Sequence, residues 1–497
     1  MPAKIYSISI SGLTPGVVEV EADVSRGLSS FKIVGLGDAS VQESKERVRS
    51  AIKNSDLTYP IQKKIINLAP AEIKKQGTSL DFPIAVSLLI ASKQIPQAQF
   101  NKSILIGELS LNGDLKPIKG ILPVTAYAKK KGFKSVFLPL ANKSEASLVE
   151  GIKIYPITSL KTLTDFAQGK SNINSIRGNL KKISLENEAE QETSFSSIYG
   201  LENAKRALTI AAAGNHNTLL KGPQGTGKTI LARAFASLLP PLTLDEALEI
   251  TEIYSVTEGL SSIHRHRPFR EVHHTASKIA IIGGGQNLKP GEITMAHKGV
   301  LFLDEITEFP RNVLETLRQP LEDKKITISR AKSTHQYPCD FILLAAMNNC
   351  PCGNLQANKK CKCTHSRIKS YQSKLSGPLL DRFDIFIETP TVIIKNIFSP
   401  KTNEDKDIKK RIQKAHNIQN QRSSMSNSKL SAKQISSLTS VDKKAKEILN
   451  KAADKLNISN RGYLKIIRVA QTIADLEGSP TIKEDHVLES IQYRKKI

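Results

Sequence analysis

The chain has 497 residues, 39% of them hydrophobic, which exceeds what one core supports and predicts roughly two or three domains. Lys and Arg outnumber Asp and Glu by 72 to 47, so the net charge of +25 makes nucleic acid a candidate partner. Trp is absent and aromatic residues make up 5%, which argues against a base-stacking platform. No apolar run approaches the roughly 18 residues of a membrane span, and residues 1–8 lack a secretory signal pattern. We therefore expect a cytoplasmic protein with no membrane partner.

The first predicted domain covers residues 1–168 and mixes strands with helices. Residues 17–24 alternate between apolar and polar side chains as a strand does, and residues 41–51 have helical periodicity. A further helix is predicted to start near Leu80. Together with residues 104–118, this order resembles the Lon-protease-like domain, which has a ribosomal S5-type α+β fold.

This resemblance implies a Ser–Lys dyad in proteolytic relatives, and the present chain lacks the lysine. Ser79 stands near the position of the nucleophile, whereas the position of the lysine falls on Val124. Lys119 lies in the wrong place by the same alignment. Because a serine hydroxyl is a weak nucleophile without a nearby base, we expect a non-proteolytic adaptor domain.

Residues 169–196 are polar and lack apolar periodicity, which predicts a linker to a second domain over residues 197–390. That domain carries a match to G-x-x-x-x-G-K-[ST], the phosphate loop, between an apolar run at 218–220 and a helical pattern at 230–239. The phosphate loop consists of Gly222, Pro223, Gln224, Gly225, Thr226, Gly227, Lys228 and Thr229. A plain glycine-rich turn is the alternative, but the strand–loop–helix context argues against it.

The chemistry of such a loop follows from its backbone. Glycines let N–H groups converge on phosphate oxygens, and the following helix adds the positive end of its dipole. Lys228 can then reach the β- and γ-phosphates, while the Thr229 hydroxyl can bind Mg²⁺. ATP and Mg²⁺ are therefore the predicted cofactors.

Two further apolar strands of this domain end in polar residues. Residues 299–303 lead to Asp304, which would hold the Mg²⁺ shell, and Glu305, which would orient the attacking water. Two acids at a strand end also fit a solvated turn. Residues 341–347 lead to Asn348, whose side chain could bond the γ-phosphate or the water.

Two basic segments accompany these strands. Residues 326–338 alternate like a two-stranded ribbon with a basic turn, where Arg330 and Lys332 are candidate phosphate contacts. An ordinary solvated hairpin is the alternative. Residues 263–274 hold four histidines among arginines, and since arginines repel a dication we favour a basic loop over a metal site.

Four of the five cysteines follow Asn348 as two C-x-C units. This group, the cysteine cluster, consists of Cys350, Cys352, Cys361 and Cys363. In a cytosolic chain such pairs suit a tetrahedral thiolate site better than disulfides, although their spacing departs from the commoner C-x₂-C unit. We therefore predict structural Zn²⁺.

The end of the chain contributes an arginine and a group of helices. Residues 375–384 place Arg382 after an apolar helical turn. Within one chain Arg382 could pair with Asp384, and delivered by a neighbouring subunit it would act as an arginine finger. A second polar linker is predicted at residues 391–430, before a helical lid domain at 431–497.

The order of these motifs resembles that of the AAA+ ATPases of the magnesium-chelatase and MCM-like clade, and within it the ComM/YifB family. The resemblance rests on residues 290–305, 375–384 and 463–475 and extends over nearly the whole chain. It implies an α/β fold in which a Lon-like α+β domain precedes a P-loop AAA+ domain and an α-helical lid.

The resemblance also implies roles for single residues. Carried over to this sequence, they are Walker A (Lys228, Thr229), Walker B (Asp304, Glu305), sensor 1 (Asn348), the trans arginine finger (Arg382) and sensor 2 (Arg461). Arg468, further along the same helix, is a second candidate for sensor 2. The family further implies a homo-hexameric ring, whose pore hairpin would bind single-stranded or branched DNA with low sequence specificity.

Three functions compete at this point. The first is an ATP-dependent DNA motor, a ring helicase or branch-migration factor, acting in recombination during natural transformation. The second is an AAA+ remodelling subunit of a magnesium-chelatase-like complex, and the third is an ATP-dependent protease. The fused Lon-like domain favours the first over the second, because chelatase motor subunits lack it, and Val124 argues against the third.

Overall fold

The structure, a computed structural model, describes residues 2–35, 37–72, 75, 77–179, 194–259, 263–285, 288–330, 333–357, 360–391 and 404–494. It confirms an α/β fold class with a parallel sheet and a helical C-terminal region. Among the described helices, none is long and apolar enough to cross a bilayer.

The N-terminal domain is built on a mixed sheet. Its strands are β1 (Ala3–Ser11), β2 (Thr14–Ser25), β3 (Ser30–Val34), β4 (Lys63–Ala69), β5 (Ser103–Leu105), β6 (Glu108–Leu109), β7 (Leu115–Lys116), β8 (Ser135–Pro139), β9 (Lys153–Ile157) and β10 (Ile176–Arg177). Its helices are α1 (Ala39–Asn54), α2 (Asp81–Ala91), α3 (Ile121–Lys130), α4 (Lys143–Ala146) and α5 (Leu160–Ala167). Eight strands pair in the order β10-β9-β8-β5-β1-β2-β4-β3, and β6 pairs with β7 separately.

The pattern of apolar residues explains this packing. Strand β2 buries alternate residues such as Val18 and Val20, as a strand with one covered face does. Helix α2 is buried over nearly its whole length because its sequence is almost continuously apolar. Strand β10 pairs with β9, so the domain extends to Arg177, beyond the predicted boundary at 168. Of the predicted linker, residues 180–193 lie outside the described residues.

The second domain, the ATPase module, alternates strands and helices. Its strands are β11 (Thr218–Lys221), β12 (Phe269–Val272), β13 (Gly283–Gly284), β14 (Lys289–Pro290), β15 (Val300–Leu303), β16 (Lys325–Arg330), β17 (Ser333–Pro338), β18 (Ile342–Met347) and β19 (Ile385–Glu388). Its helices are α6 (Glu202–Gly214), α7 (Lys228–Leu238), α8 (Leu244–Thr257), α9 (Lys278–Ile282), α10 (Glu292–Met295), α11 (Arg311–Thr316), α12 (Arg318–Asp323), α13 (His365–Gln372) and α14 (Gly377–Leu380). Five strands form a parallel sheet in the order β12-β15-β18-β11-β19.

Helix α8 joins the two domains. A capping box of Thr243 and Glu246 starts the helix, and its residues Ile250 and Tyr254 share a hydrophobic core with Ile8 and other residues of the N-terminal domain. The Gly120 N–H donates to the carbonyl oxygen of Ser255 at 3.0 Å. The N-terminal domain is therefore packed directly on the ATPase module.

The C-terminal region is helical. Its helices are α15 (Glu404–Ser423), α16 (Ala432–Leu438), α17 (Lys443–Lys455), α18 (Asn460–Glu477) and α19 (Glu484–Gln492). Helix α15 occupies much of the stretch predicted as a linker at 391–430, so that prediction was wrong for residues 404–423. Ile412 and Ala415 of α15 are fully buried where it packs against α6 and α18.

Candidate active site

The parallel sheet of the ATPase module brings three chain segments to one edge. Strand β18 lies between β11 and β15, with Lys221 opposite Met347 and Leu303 opposite Ala345. Since the carboxyl ends of parallel strands share one edge, the segments that follow them meet there. These segments are the phosphate loop after β11, Asp304 after β15 and Asn348 after β18.

The phosphate loop has the backbone that its glycines predict. Gly227 precedes α7 with φ of +80°, a conformation that residues with a side chain rarely adopt. Gly222 lies so close to Thr389 at the end of β19 that a Cβ atom there would overlap it. The loop therefore lies tightly over the sheet edge and leads directly into the N-terminus of a helix.

Lys228 points back into the phosphate loop. Its Nζ donates to the carbonyl oxygens of Gly222 at 2.9 Å and Pro223 at 2.7 Å, and to Oδ1 of Asn348 at 3.0 Å. Burial lowers the pKa of Lys228 to about 8, although two nearby carboxylates oppose that shift. The structure thus brings together the residues predicted as Walker A lysine and sensor 1.

Asp304 accepts hydrogen bonds from Thr229 and Glu305, the two remaining residues predicted for the ATP site. The Thr229 hydroxyl donates to Oδ2 of Asp304 at 2.8 Å, and the Glu305 N–H donates to its Oδ1 at 2.8 Å. Hydroxyl and carboxylate oxygens are the donors that Mg²⁺ prefers, so Thr229 and Asp304 fit a magnesium site. Glu305 has φ of +48°, an uncommon value for a residue other than glycine and one that recurs at functional sites.

Arg382 lies at the opposite edge of the same sheet. The Asn217 side chain donates to the carbonyl oxygen of Arg382 at 3.1 Å, and Asn217 directly precedes the amino end of β11. The Arg382 guanidinium forms an ion pair with Glu322. The alternative prediction, a pair between Arg382 and Asp384 of the same chain, was therefore wrong. Asp384 instead contacts Lys465 at 3.2 Å. Burial alone would raise the pKa of this carboxylate, but Lys465 and His216 together lower it.

Arg461 and Arg468 lie on α18 and face the same cleft as Arg382, which we call the arginine cleft. It has a volume of about 680 Å³, and none of residues 222–229 lines it. Arg461 is exposed, whereas Nε of Arg468 donates to the Leu430 carbonyl oxygen at 2.8 Å. The structure therefore groups Arg461 with Arg382 and separates both from the phosphate loop of their own chain.

The cysteine cluster has the geometry of a thiolate site. The Sγ atoms of Cys350, Cys352 and Cys361 lie 3.4 to 3.7 Å apart, and all four Sγ atoms lie within 4.8 Å of one another. A disulfide needs about 2.05 Å. Four Zn–S bonds of about 2.3 Å in a tetrahedron place sulfurs roughly 3.8 Å apart, so the cluster fits zinc. A hydrogen bond from the Asn354 backbone is the largest cause that lowers the pKa of Cys352, to about 6.

The predicted basic segments have different outcomes. Strands β16 and β17 form the expected ribbon, with Arg330 opposite Ser333. Lys332 and the side chain of Arg330 lie outside the described residues, so their contact with DNA stays a prediction. The basic loop predicted at 263–274 was wrong in part, because residues 269–272 form β12, an edge strand that pairs with β15.

The candidate dyad of the N-terminal domain does not assemble. Val124, where the resemblance to the Lon-like domain places the lysine position, is fully buried on α3. The Nζ of Lys119 donates instead to the carbonyl oxygen of Thr257 at the end of α8, at 2.8 Å. Ser79 and Lys119 line one cavity, but among the described residues no hydrogen bond joins them.

Two contacts of the site were not predicted from the sequence. Glu322 pairs with Arg382 from α12, and no local pattern joins these residues. The second is a backbone hydrogen bond of 3.0 Å, in which the Gln224 N–H of the phosphate loop donates to the carbonyl oxygen of Gly353, next to Cys352 of the cysteine cluster. The glycine of the C-x-C-G sequence was the available signal, because glycine permits such a close approach.

A phosphate loop, paired acids and a polar residue on adjacent parallel strands, followed by helices, define the class of P-loop ATPases of the AAA+ type. Three family descriptions match the chain: "Magnesium chelatase, subunit ChlI" at 194–397, "Subunit ChlI of Mg-chelatase" at 20–142 and "Magnesium chelatase, subunit ChlI C-terminal" at 402–494. The last match begins just before α15, which agrees with its place in the helical region.

Similar proteins extend the match to the whole chain. Competence protein ComM of Haemophilus influenzae is 37% identical over 499 residues, covering 100% of this chain and 98% of the relative. YifB of Escherichia coli is 37% identical over 496 residues, covering 99% and 96%. The magnesium-chelatase 67 kDa subunit of Heliobacterium mobile is 26% identical over 264 residues, covering 45% and 38%. The chain belongs to the ComM/YifB family of magnesium chelatase-like proteins, as its motifs predicted.

Proposed function

We propose that the protein is an ATP-dependent DNA motor, a ring helicase or branch-migration factor that acts in recombination during natural transformation. The observation that carries the ATPase part is the meeting of Lys228 with Asn348 and of Thr229 with Asp304 at one sheet edge. The DNA part of the proposal is supported by the name of a relative, a competence protein that matches this chain over 98% of its own length. The net charge of +25 suits a polyanionic partner.

In this proposal the residues of the sheet edge divide the work of phosphoryl transfer. The phosphate loop cradles the phosphates, and Lys228 leaves its carbonyl partners to bind the β- and γ-oxygens. Thr229 and Asp304 hold Mg²⁺, which when bound neutralises charge on the phosphates. Glu305 orients the attacking water and Asn348 bonds the water or the γ-phosphate.

The arginine cleft supplies the argument for a ring. Arg382 lies at the amino end of β11, whereas the phosphate loop lies at the carboxyl end of that strand. It therefore completes an ATP site only when a neighbouring subunit presents it, and Arg461 accompanies it as the sensor 2 arginine. We propose a homo-hexamer in the cytoplasm, where ATP and DNA are at hand and thiols stay reduced.

The remaining partners are assigned in the same way. The hairpin of β16 and β17 carries Arg330 and Lys332 to DNA, and contacts to phosphates give low sequence specificity. The cysteine cluster holds structural Zn²⁺. A second candidate function, a remodelling subunit of a magnesium-chelatase-like complex, is favoured by the three family descriptions, each of which names that enzyme.

Two substitutions test the ATP site. Lys228→Ala removes the charge that faces the phosphates, so we expect ATP turnover to fall by about 10²- to 10³-fold together with ATP binding. Glu305→Gln keeps the phosphate loop, so it should bind ATP with the wild-type Kd and lose turnover by about 10²-fold or more. Steady-state turnover and equilibrium binding of ATP measure both effects. Wild-type turnover in Lys228→Ala would contradict the whole assignment of the site.

A further inference from the structure

The residue that follows Cys352 of the cysteine cluster, Gly353, contacts the phosphate loop directly. The carbonyl oxygen of Gly353 accepts the Gln224 N–H at 3.0 Å. Gly353 has φ of +73°, and a Cβ atom added to it would lie 2.9 Å from the Cβ of Gln224. Only glycine therefore lets the two backbones approach this closely.

Short contacts tie this carbonyl to the sulfur atoms. The Gly353 N–H donates to the carbonyl oxygen of Cys350 at 3.0 Å, and the Leu355 N–H donates to the Sγ of Cys350 at 3.3 Å. Cys350 is fully buried. The position of the Gly353 carbonyl is thus set by the same turn that orients the thiols.

The segment is also anchored beside the predicted sensor. Asn349, next to Asn348, donates from Nδ2 to the Leu355 carbonyl oxygen at 3.1 Å, and its own carbonyl oxygen accepts from Gln372 at 3.0 Å. The cluster therefore touches the ATP site on two sides, through Gln224 of the phosphate loop and through the chain that leads to Asn348.

We propose that Zn²⁺ bound by the four cysteines positions the phosphate loop for ATP, with the Gly353 carbonyl as the link. The inference rests on the proposed ATP site and adds a regulator to it, because loss of the metal lowers the affinity for ATP. Four thiolates around one metal ion fix the turn from Cys350 to Gly353. Pre-ordering a glycine-rich loop lowers the entropy that ATP binding would otherwise cost.

The role is one of positioning and predicts a specific kinetic pattern. Among the described residues, the hydrogen bonds of Lys228 and Thr229 go to Gly222, Pro223, Asn348 and Asp304, and none goes to Gly353 or a thiol. Loss of the link should therefore raise KM and the Kd for ATP and leave kcat nearly unchanged. From the contribution of one backbone hydrogen bond, we expect about a twofold to tenfold effect.

The experiment uses the full-length chain and compares two ways to break the link. Cys361→Ser removes a metal ligand, and Gly353→Ala keeps all four cysteines but forces the two loops apart. Zinc content by elemental analysis, the Kd of a fluorescent ATP analogue and kcat are measured for each. Lys362→Ser, an exposed position between two of the cysteines, is the matched control.

We expect one zinc per wild-type chain, much less than one in Cys361→Ser, and about one in Gly353→Ala and Lys362→Ser. Cys361→Ser and Gly353→Ala should raise the Kd for ATP to the same extent. The double variant should have the same Kd as either single variant, because each substitution breaks the same connection between the metal and the phosphate loop. Wild-type protein stripped by a chelator should regain its affinity when Zn²⁺ alone is returned. Cys361→Ser should not.

Each result bears on a different claim. A wild-type chain that holds zinc but binds no ATP would contradict the proposed function. A wild-type Kd for ATP in Gly353→Ala or in the chelator-stripped protein would overturn only the role of the metal in positioning the phosphate loop. These two measurements decide the question even if Cys361→Ser fails to fold. A wild-type chain with much less than one equivalent of metal, or a disulfide among the four cysteines, would overturn it at once.

Discussion

The two domains built on the larger sheets each contain predicted catalytic residues, and in the described residues those of the ATPase module contact one another whereas Ser79 and Lys119 do not. At the carboxyl edge of the five-stranded sheet, Lys228 reaches Asn348 at 3.0 Å and Thr229 reaches Asp304 at 2.8 Å. In the N-terminal domain, Ser79 lies just before α2. The lysine expected as its partner is replaced by Val124, which is buried.

The difference shows what each domain uses its polar groups for. Parallel strands carry their following loops to one edge, so residues far apart in the chain converge on one substrate. The N-terminal domain uses Lys119 to bond Thr257 of α8, and its core continues into that helix. Lys119 therefore contributes to the contact between the two domains.

The largest expected effect comes from Arg382→Ala. An arginine finger contributes about 10³- to 10⁵-fold to turnover, so the variant should lose nearly all ATPase activity while it retains ATP binding. Because Arg382 lies away from its own phosphate loop, mixing Arg382→Ala with Lys228→Ala chains should restore part of the turnover. Turnover of each variant alone and of the mixture measures this effect.

The mixture also tests the ring itself. In a mixed assembly some interfaces combine an intact phosphate loop with an intact arginine, so activity should depend on the ratio of the two chains. Arg318→Ala, which removes a surface pair with Glu315, is a control that should leave complementation unchanged. Full ATPase activity of a monomer at nanomolar concentration would contradict the trans assignment.

The smallest expected effect comes from Ser79→Ala. Since Lys119 donates to Thr257 and no described lysine hydrogen-bonds Ser79, removal of this hydroxyl should change neither ATP turnover nor stability beyond about 0.5 kcal/mol. Turnover, the melting temperature and degradation of an unfolded test protein are the measurements. ATP-dependent degradation by the wild type that Ser79→Ala abolishes would remove the contrast between the two sheets.

The sequence predicted the site well where the signal is local or follows from strand order. Residues 222–229 form one contiguous pattern, and Asp304 and Asn348 each follow an apolar run of strand length. A parallel sheet then requires these ends to meet. The contacts Arg382–Glu322 and Gln224–Gly353 could not be predicted, because they join segments whose separation in the chain carries no pattern.

Elements with few apolar residues were the ones that the sequence analysis missed. Helix α15 carries Ile408, Ile412 and Ala415 at helical spacing, but this narrow stripe is surrounded by charged and amide side chains. Its stability comes from packing against α6 and α18, which no local propensity records. Strand β12 is short and half of its residues are charged, so only its pairing with β15 defines it as a strand.

The central claim is that ATP hydrolysis in this chain is coupled to DNA, and turnover measured as single-stranded DNA is added tests it most directly. We expect DNA to raise wild-type turnover, with an affinity that falls as salt rises. Each lost phosphate contact should reduce the slope of log affinity against log salt concentration by about 0.7.

The double substitution Arg330→Glu with Lys332→Glu should abolish the stimulation by DNA and keep basal turnover, because neither residue is among those assigned to the ATP site. Wild-type turnover that DNA leaves unchanged at low salt would contradict the claim and favour the chelatase-like remodelling function.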